Sequence, residues 1–147
     1  MELNPFEGKE SNNLFIGNNV DFGLNVDYID LAKSISDEVM WKVEAGFTCY
    51  QGDFLFLGND KEENIYFLTA GHGSCSGCDA LQGCQSKDEL IELRDELKRG
   101  IRKFNSLAEF KEWFNNEAQT EWYSKSDVTD FIEKVKLIYA IELRWRE

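Results

Sequence analysis

The sequence predicts an α+β fold, in which a small antiparallel β-meander of three or four strands packs with helices on one of its faces. Two observations predict it. Three short apolar segments separated by polar turns lie between residues 38 and 70, and helix-start signatures follow at Ser86 and Ser106. A chain of 147 residues suits one domain. We expect this globular domain to span residues 14–147, after an irregular N-terminal arm over residues 1–13.

The first strand is predicted from an alternating pattern. Val39, Trp41 and Val43 alternate with charged residues, which is typical of a strand with one buried face. Gly46 is the kind of residue that marks a β-bulge. We expect the strand to continue past this bulge over residues 47–50.

The next two strands are predicted from apolar runs on either side of a polar loop. Residues 54–57 read Phe-Leu-Phe-Leu and are apolar at every position, which predicts a central strand of the sheet. The polar residues 58–64 are expected to form a hairpin loop, and residues 65–70 the return strand. With the first strand they make a three-stranded antiparallel meander.

Two Ser-x-x-Glu capping boxes, which begin at Ser86 and Ser106, predict helices after the meander. Apolar residues follow each box at helical spacing. The first stripe comprises Leu90, Leu93, Leu97, Ile101 and Phe104, and the second comprises Leu107, Phe110, Trp113 and Phe114. We also expect a short helix over residues 28–36 and a further helix over residues 127–135.

The last apolar segment fits two interpretations. Alternate residues from Leu137 to Trp145 are apolar, which is typical of a strand. The same residues could instead extend the preceding helix. We favour a strand over residues 136–146 that joins the meander as its fourth member.

The charge balance limits the partners that the protein can bind. The chain has 28 acidic and 16 basic residues, a net charge of −12. Such a chain repels phosphate backbones, so we expect attraction to basic protein surfaces and no direct binding to nucleic acid, although acidity also serves solubility. No apolar run approaches the roughly 20 residues that span a bilayer. The first residues lack a signal-peptide pattern, so we expect a cytoplasmic protein.

Residues 72–84 concentrate the reactive side chains. They contain the single histidine, His72, and three of the four cysteines, Cys75, Cys78 and Cys84. These side chains are candidate ligands for zinc, which takes four cysteine or histidine ligands in structural sites. All four lie within thirteen residues, whereas structural sites usually join two ligand pairs across a longer loop.

Three other interpretations of this segment stay open. Cys75 and Cys78 form a Cys-x-x-Cys pair of the kind that redox proteins carry after a strand. Cys75 or Ser74 could act as a nucleophile with His72 as its base, although no third orienting group is apparent. Alternatively, the cysteines pack as small apolar residues beneath a tight glycine turn. We favour this packing and expect neither a resident cofactor nor catalytic residues.

Two short motifs carry a resemblance to a known family. Tyr50-Gln51-Gly52-Asp53 precedes the apolar hairpin, and Gly73-Ser74-Cys75-Ser76-Gly77-Cys78-Asp79 follows it. Over residues 40–100 the chain resembles a family of small uncharacterised proteins found mostly in bacteriophages and mobile elements. The resemblance implies a phage-type setting in the host cytoplasm, where small acidic proteins often bind and disable host factors. An aromatic residue is common in that family at the position of His72, which argues against a catalytic or ligand role for this histidine.

Acidic and aromatic side chains predict the partner-binding surface. The candidates are Asp60, Glu62 and Glu63 in the hairpin loop, and Glu112, Trp113, Glu117, Glu121, Trp122 and Tyr123 in the C-terminal third. Tryptophan and tyrosine are enriched at binding hot spots, and carboxylates suit a basic groove. We therefore expect a non-enzymatic acidic inhibitor that binds a basic, nucleic-acid-binding surface of a host defence protein such as a CRISPR effector. The alternatives are a small zinc or thiol protein that uses the cysteine loop, and a sponge for an immune nucleotide signal.

Overall fold

A computed structural model describes residues 28–46, 52–72, 84, 86–118 and 125–144. The elements in chain order are α1 (Tyr28–Lys33), β1 (Met40–Gly46), β2 (Gly52–Asn59), β3 (Ile65–His72), α2 (Lys87–Arg99), β4 (Arg102–Phe104), α3 (Leu107–Asn116) and α4 (Lys125–Tyr139). In the part of the chain described, none of the helices is long and apolar enough to cross a membrane. The arm predicted over residues 1–13 and the continuation of the first strand over residues 47–50 lie outside the described residues.

The strands form one antiparallel sheet in the order β1-β2-β3-β4, which confirms the predicted α+β class and meander. β2 is a central strand, as its apolar run predicts. It pairs with β3 along its whole length, from Gly52 opposite His72 to Asn59 opposite Ile65. The register between β1 and β2 shifts between the pairs made by Trp41 and Val43, so the irregularity in β1 precedes the predicted bulge at Gly46.

Helices cover both faces of the sheet, whereas the sequence analysis places them on one face. Phe56 of β2 lies in a core with α1 and α2, the α1/α2 core. Its neighbours Leu55 and Leu57 point to the opposite face and lie in a core with α3 and α4, the α3/α4 core. A strand that is apolar on both faces needs cover on both, so the Phe-Leu-Phe-Leu run itself requires the second helical layer.

The fourth strand is Arg102–Phe104, and the strand predicted over residues 136–146 is wrong for the described residues. Residues 136–139 belong to α4, and residues 140–144 are in neither a helix nor a strand. Phe131, Val135 and Tyr139, spaced four residues apart, pack into the α3/α4 core. Leu137, which the alternation would bury, is 84% exposed. The helical spacing of the bulky residues therefore prevails over the apparent alternation.

Both capping boxes are confirmed as helix N-termini. Ser86 Oγ accepts the backbone N–H of Glu89 at 3.2 Å, and Ser106 Oγ accepts that of Glu109 at 3.1 Å. Each hydroxyl satisfies one of the N–H groups that a first helical turn leaves without a partner.

Two of the helices end earlier than predicted. α2 ends at Arg99, and its C-cap residue, Gly100, donates its N–H to the carbonyls of the last turn. Ile101 and Phe104, predicted on the α2 stripe, therefore lie beyond the helix, one in each core. α1 ends at Lys33 rather than residue 36. The end of α2 lets the chain turn back and add β4 beside β3.

Candidate functional site

The acidic and aromatic residues predicted on α3 meet at one groove, which we call the Trp113 groove. It is a depression of about 250 Å³ lined by Phe104, Glu109, Glu112, Trp113, Asn116 and Glu117. Residues three or four apart lie on one side of a helix, which brings these side chains together. The three glutamates are exposed. Glu109 is missed by the sequence prediction, although helical spacing places it one turn before Glu112 and Trp113.

The side chain of Trp113 is half-buried and forms one wall of this groove. Its ring centroid lies 5.6 Å from that of Phe67 and 5.3 Å from that of Phe104. The guanidinium carbon of Arg102 lies 4.7 Å from the Trp113 centroid, within the range of a cation–π interaction. Packing thus holds the indole in place, and its face already receives a cation.

Asp60 is predicted from the sequence to lie on an exposed partner-binding surface, but the structure buries it. It is 2% exposed. One carboxylate oxygen accepts the backbone N–H groups of Glu62 and Asn64, at 2.9 and 3.0 Å. The other accepts the Asn64 side-chain amide at 3.0 Å and the Tyr66 hydroxyl at 2.8 Å. Asp60 therefore organises the hairpin loop from inside, as aspartate commonly does in turns.

Glu62 and Glu63 are exposed at the tip of the same loop. Glu62 shares a second depression, of about 410 Å³, with Asp37, Glu38 and Met40. Met40 is 44% exposed, a large apolar side chain beside carboxylates. The segment before β1 is missed by the sequence analysis, because only the antiparallel pairing of β1 with β2 brings residues 37 and 38 beside the loop.

The Gly52-Asp53 part of the first motif lies at the opposite end of the sheet, where it joins α4 to the strands. The Asp53 N–H donates to Asp127 Oδ2 at 2.9 Å, and Asp127 is fully buried in the first turn of α4. One turn later, Asp130 Oδ2 accepts the N–H of Gly46 at 3.1 Å. These contacts hold the start of α4 against β1 and β2, and Asp53 takes part through its backbone N–H.

The cysteine loop is only partly described. Cys84 is 8% exposed in the α1/α2 core, as expected for a small apolar residue. His72 ends β3 opposite Gly52. Within the described residues, no group of three or more His, Cys, Asp or Glu side chains is placed to hold a metal ion. The remaining predicted site residues lie outside the described residues; they are Tyr50, Gly73, Ser74, Cys75, Ser76, Gly77, Cys78, Asp79, Glu121, Trp122 and Tyr123.

Comparison with known proteins adds no relative. No family model, curated protein or solved structure matches the chain. The resemblance to a phage and mobile-element family therefore stays a prediction from the two short motifs. The chemistry of the described surface is the basis on which a function can be proposed.

Proposed function

We propose that the protein is a non-enzymatic acidic inhibitor that binds a basic, nucleic-acid-binding surface of a host protein. The observation that carries the proposal is the Trp113 groove. There, the exposed carboxylates of Glu109, Glu112 and Glu117 surround an aromatic ring that packing holds in place. The ring already interacts with the Arg102 guanidinium, the chemistry that a basic partner would supply.

The two kinds of group in the groove would contribute differently to binding. Exposed carboxylates attract a basic surface over a distance of about 8 Å at physiological salt, and they raise the association rate more than the final affinity. The half-buried indole offers a short-range contact that survives at high salt, because its contribution comes from desolvation. A protein surface that binds nucleic acid is rich in lysine and arginine, and it is therefore the complementary partner.

The setting of this interaction comes from the sequence. The resemblance to phage and mobile-element proteins suggests a host defence protein as the partner, and a CRISPR effector is the example we propose to test. Occupation of its nucleic-acid groove by a chain of net charge −12 would exclude the guide or target strand. Inhibition of this kind requires binding alone and no catalytic residue.

The test is a calorimetric titration against a purified basic CRISPR nuclease, at low and at high salt. The groove variant carries Glu112→Lys and Glu117→Lys. The control carries Glu92→Lys and Glu96→Lys, two exposed residues of α2, which packs on the other face of the sheet. Both variants change the net charge equally. We expect wild-type affinity to fall with salt, the groove variant to bind about tenfold more weakly, and the control to bind nearly as wild type.

Three outcomes would contradict the proposal. They are the absence of binding at low salt, equal losses in the two variants, and a complex in which the nuclease still binds its nucleic acid. Equal losses would show that net charge alone attracts the partner. Retained nucleic-acid binding would show that the contact lies away from the basic groove.

A further inference from the structure

A cavity lies between the hairpin loop, the start of α3 and the end of α4. Its volume is about 370 Å³, within the range of small-ligand pockets. Ile65 and Leu107 contribute apolar surface, the Tyr139 side chain lines another part, and Glu62 and Glu63 are exposed at the loop. The lining therefore combines apolar surface, an aromatic ring and carboxylates. We call it the Tyr139 cavity.

The Tyr139 side chain is held by hydrogen bonds. Its hydroxyl donates to Asn59 Oδ1 at 2.8 Å, and the Asn59 amide donates in turn to the Asp60 carbonyl at 3.1 Å. Burial raises the pKa of Tyr139 to about 12, so the hydroxyl keeps the proton that it donates to Asn59 even in mildly alkaline solution. The cavity thus presents an uncharged aromatic side chain fixed by the loop that Asp60 organises.

A cation already lies over this ring. The Lys42 ammonium is 5.9 Å from the Tyr139 centroid, at the outer limit of a cation–π contact. Lys42 is an exposed side chain at the irregular point of β1. At this distance and exposure the contact is weak, so a cation that also pairs with the carboxylates of the loop can replace it.

We propose that the Tyr139 cavity takes an arginine side chain of the basic partner, whose guanidinium replaces the Lys42 ammonium over the Tyr139 ring and pairs with Glu62 or Glu63. This inference rests on the proposed function and names the group that the partner inserts. Arginine fits better than lysine, because its planar guanidinium stacks on an aromatic ring while its edge donates to a carboxylate. Lys42 then acts as an internal competitor for the site.

The probe for the test is the peptide acetyl-Gly-Arg-Gly-amide, added to the full chain and followed by the amide NMR shifts of the protein. The control peptide carries citrulline, which has the shape of arginine without its charge. We expect saturable shifts at residues around the cavity for the arginine peptide, and at least about fivefold weaker binding of the citrulline peptide.

Four variants distinguish binding of arginine in the Tyr139 cavity from general attraction to an acidic protein. Tyr139→Leu should weaken binding of the arginine peptide about threefold or more, whereas Tyr139→Phe, which keeps the ring, should retain it. Lys42→Ala should tighten binding about threefold, since the competing cation is gone. The groove variant, Glu112→Lys with Glu117→Lys, serves as the control. The arginine peptide should still shift the amide NMR signals of residues around the cavity in this variant.

The outcomes distinguish this inference from the proposed function. Arginine and citrulline peptides that bind equally would overturn the cavity assignment, as would arginine binding that is indifferent to both Tyr139→Leu and Lys42→Ala. If the basic nuclease still binds through the Trp113 groove, the proposed function survives that result. Conversely, arginine binding in the cavity without any binding of the nuclease would support the cavity and overturn the proposed partner.

Discussion

Asp60 and Glu62 are two acidic residues of the same loop, but they have different roles in the structure. Asp60 is buried and accepts four hydrogen bonds, whereas Glu62 is exposed at the loop tip. In the sequence they belong to one polar run. An aspartate that accepts backbone N–H groups two and four residues ahead is typical of turns. The hydrogen bond from Tyr66, however, forms only because β3 pairs with β2 and brings Tyr66 beside the loop. The sequence alone therefore cannot tell which acid is structural.

At the residue scale we predict that Asp60→Ala destabilises the fold by about 3 kcal/mol, because it removes the buried hydrogen bond from the Tyr66 hydroxyl together with the contacts that order the loop. Tyr66→Phe should cost about 1 kcal/mol. The double variant should lose less unfolding free energy than the sum of the two single losses, since both changes remove the same hydrogen bond between Tyr66 and Asp60. Urea unfolding monitored by circular dichroism measures all three.

Glu62→Ala is the matched control for this prediction. It removes an exposed carboxylate from the same loop, and the unfolding free energy should change by less than about 0.5 kcal/mol. Equal stabilities of the Asp60→Ala and Glu62→Ala proteins would show that the hairpin does not depend on the buried carboxylate.

At the scale of elements, α4 covers the edge of β1. An edge strand exposes unpaired N–H and C=O groups that can pair with another chain. Lys134 Nζ donates to the Glu44 carbonyl at 3.0 Å, and Asp130 accepts the N–H of Gly46 while it pairs with Lys134 at 3.1 Å. One ion pair therefore occupies two backbone groups near the end of the strand. Neither contact is visible in the sequence, since 84 and 90 residues separate the partners in the chain.

The elements divide into those that local pattern predicts and those that it does not. The strands that become β1, β2 and β3, and both capped helix starts, follow from residues a few positions apart. The sequence wrongly places Phe104 on α2 and Leu137 on a strand, because each lies near the end of a helix that local periodicity does not reveal. Gly100 ends α2, and Ala140, with φ 58°, ends α4 in the left-handed region. Of the candidate site, the sequence predicts the cluster on α3 but neither Glu109 nor the Tyr139 cavity, which tertiary packing assembles.

We predict that Gly46→Ala costs on the order of 3 kcal/mol of unfolding free energy. Gly46 has φ 101°, and a Cβ there would lie 2.0 Å from the Asp53 carbonyl oxygen, a backbone atom that cannot move aside cheaply. Gly100→Ala is the control. Gly100 has φ −88°, and its Cβ would lie 3.5 Å from the Leu97 carbonyl oxygen, so we expect a change within about 1 kcal/mol. Thermal unfolding of the two variants compares them, and equal melting temperatures would rule out a special requirement for glycine at 46.

At the scale of the whole molecule, two helical layers enclose the sheet and leave the acidic surplus on the surface. The exposed carboxylates include those of α2 on one side and those of α3 on the other. A net charge of −12 opposes the compact state, because like charges repel one another when the chain folds. The same charges attract a basic partner. Added salt should therefore stabilise the folded protein and weaken its complex with a basic partner.

We predict that raising sodium chloride from low to physiological concentration stabilises the isolated protein by about 1 kcal/mol, because counterions screen the repulsion among its carboxylates. The melting temperature should rise by a few degrees, about 2–4 °C for a domain of this size. The variant with Glu92→Lys and Glu96→Lys has a net charge of −8 instead of −12, so its gain should be smaller. Differential scanning calorimetry on both proteins checks this expectation. If the melting temperature falls with salt, or rises equally in both, repulsion among surface acids is not what salt relieves. A weaker complex at high salt would then require another explanation as well, since the same screened charges are proposed to attract the partner.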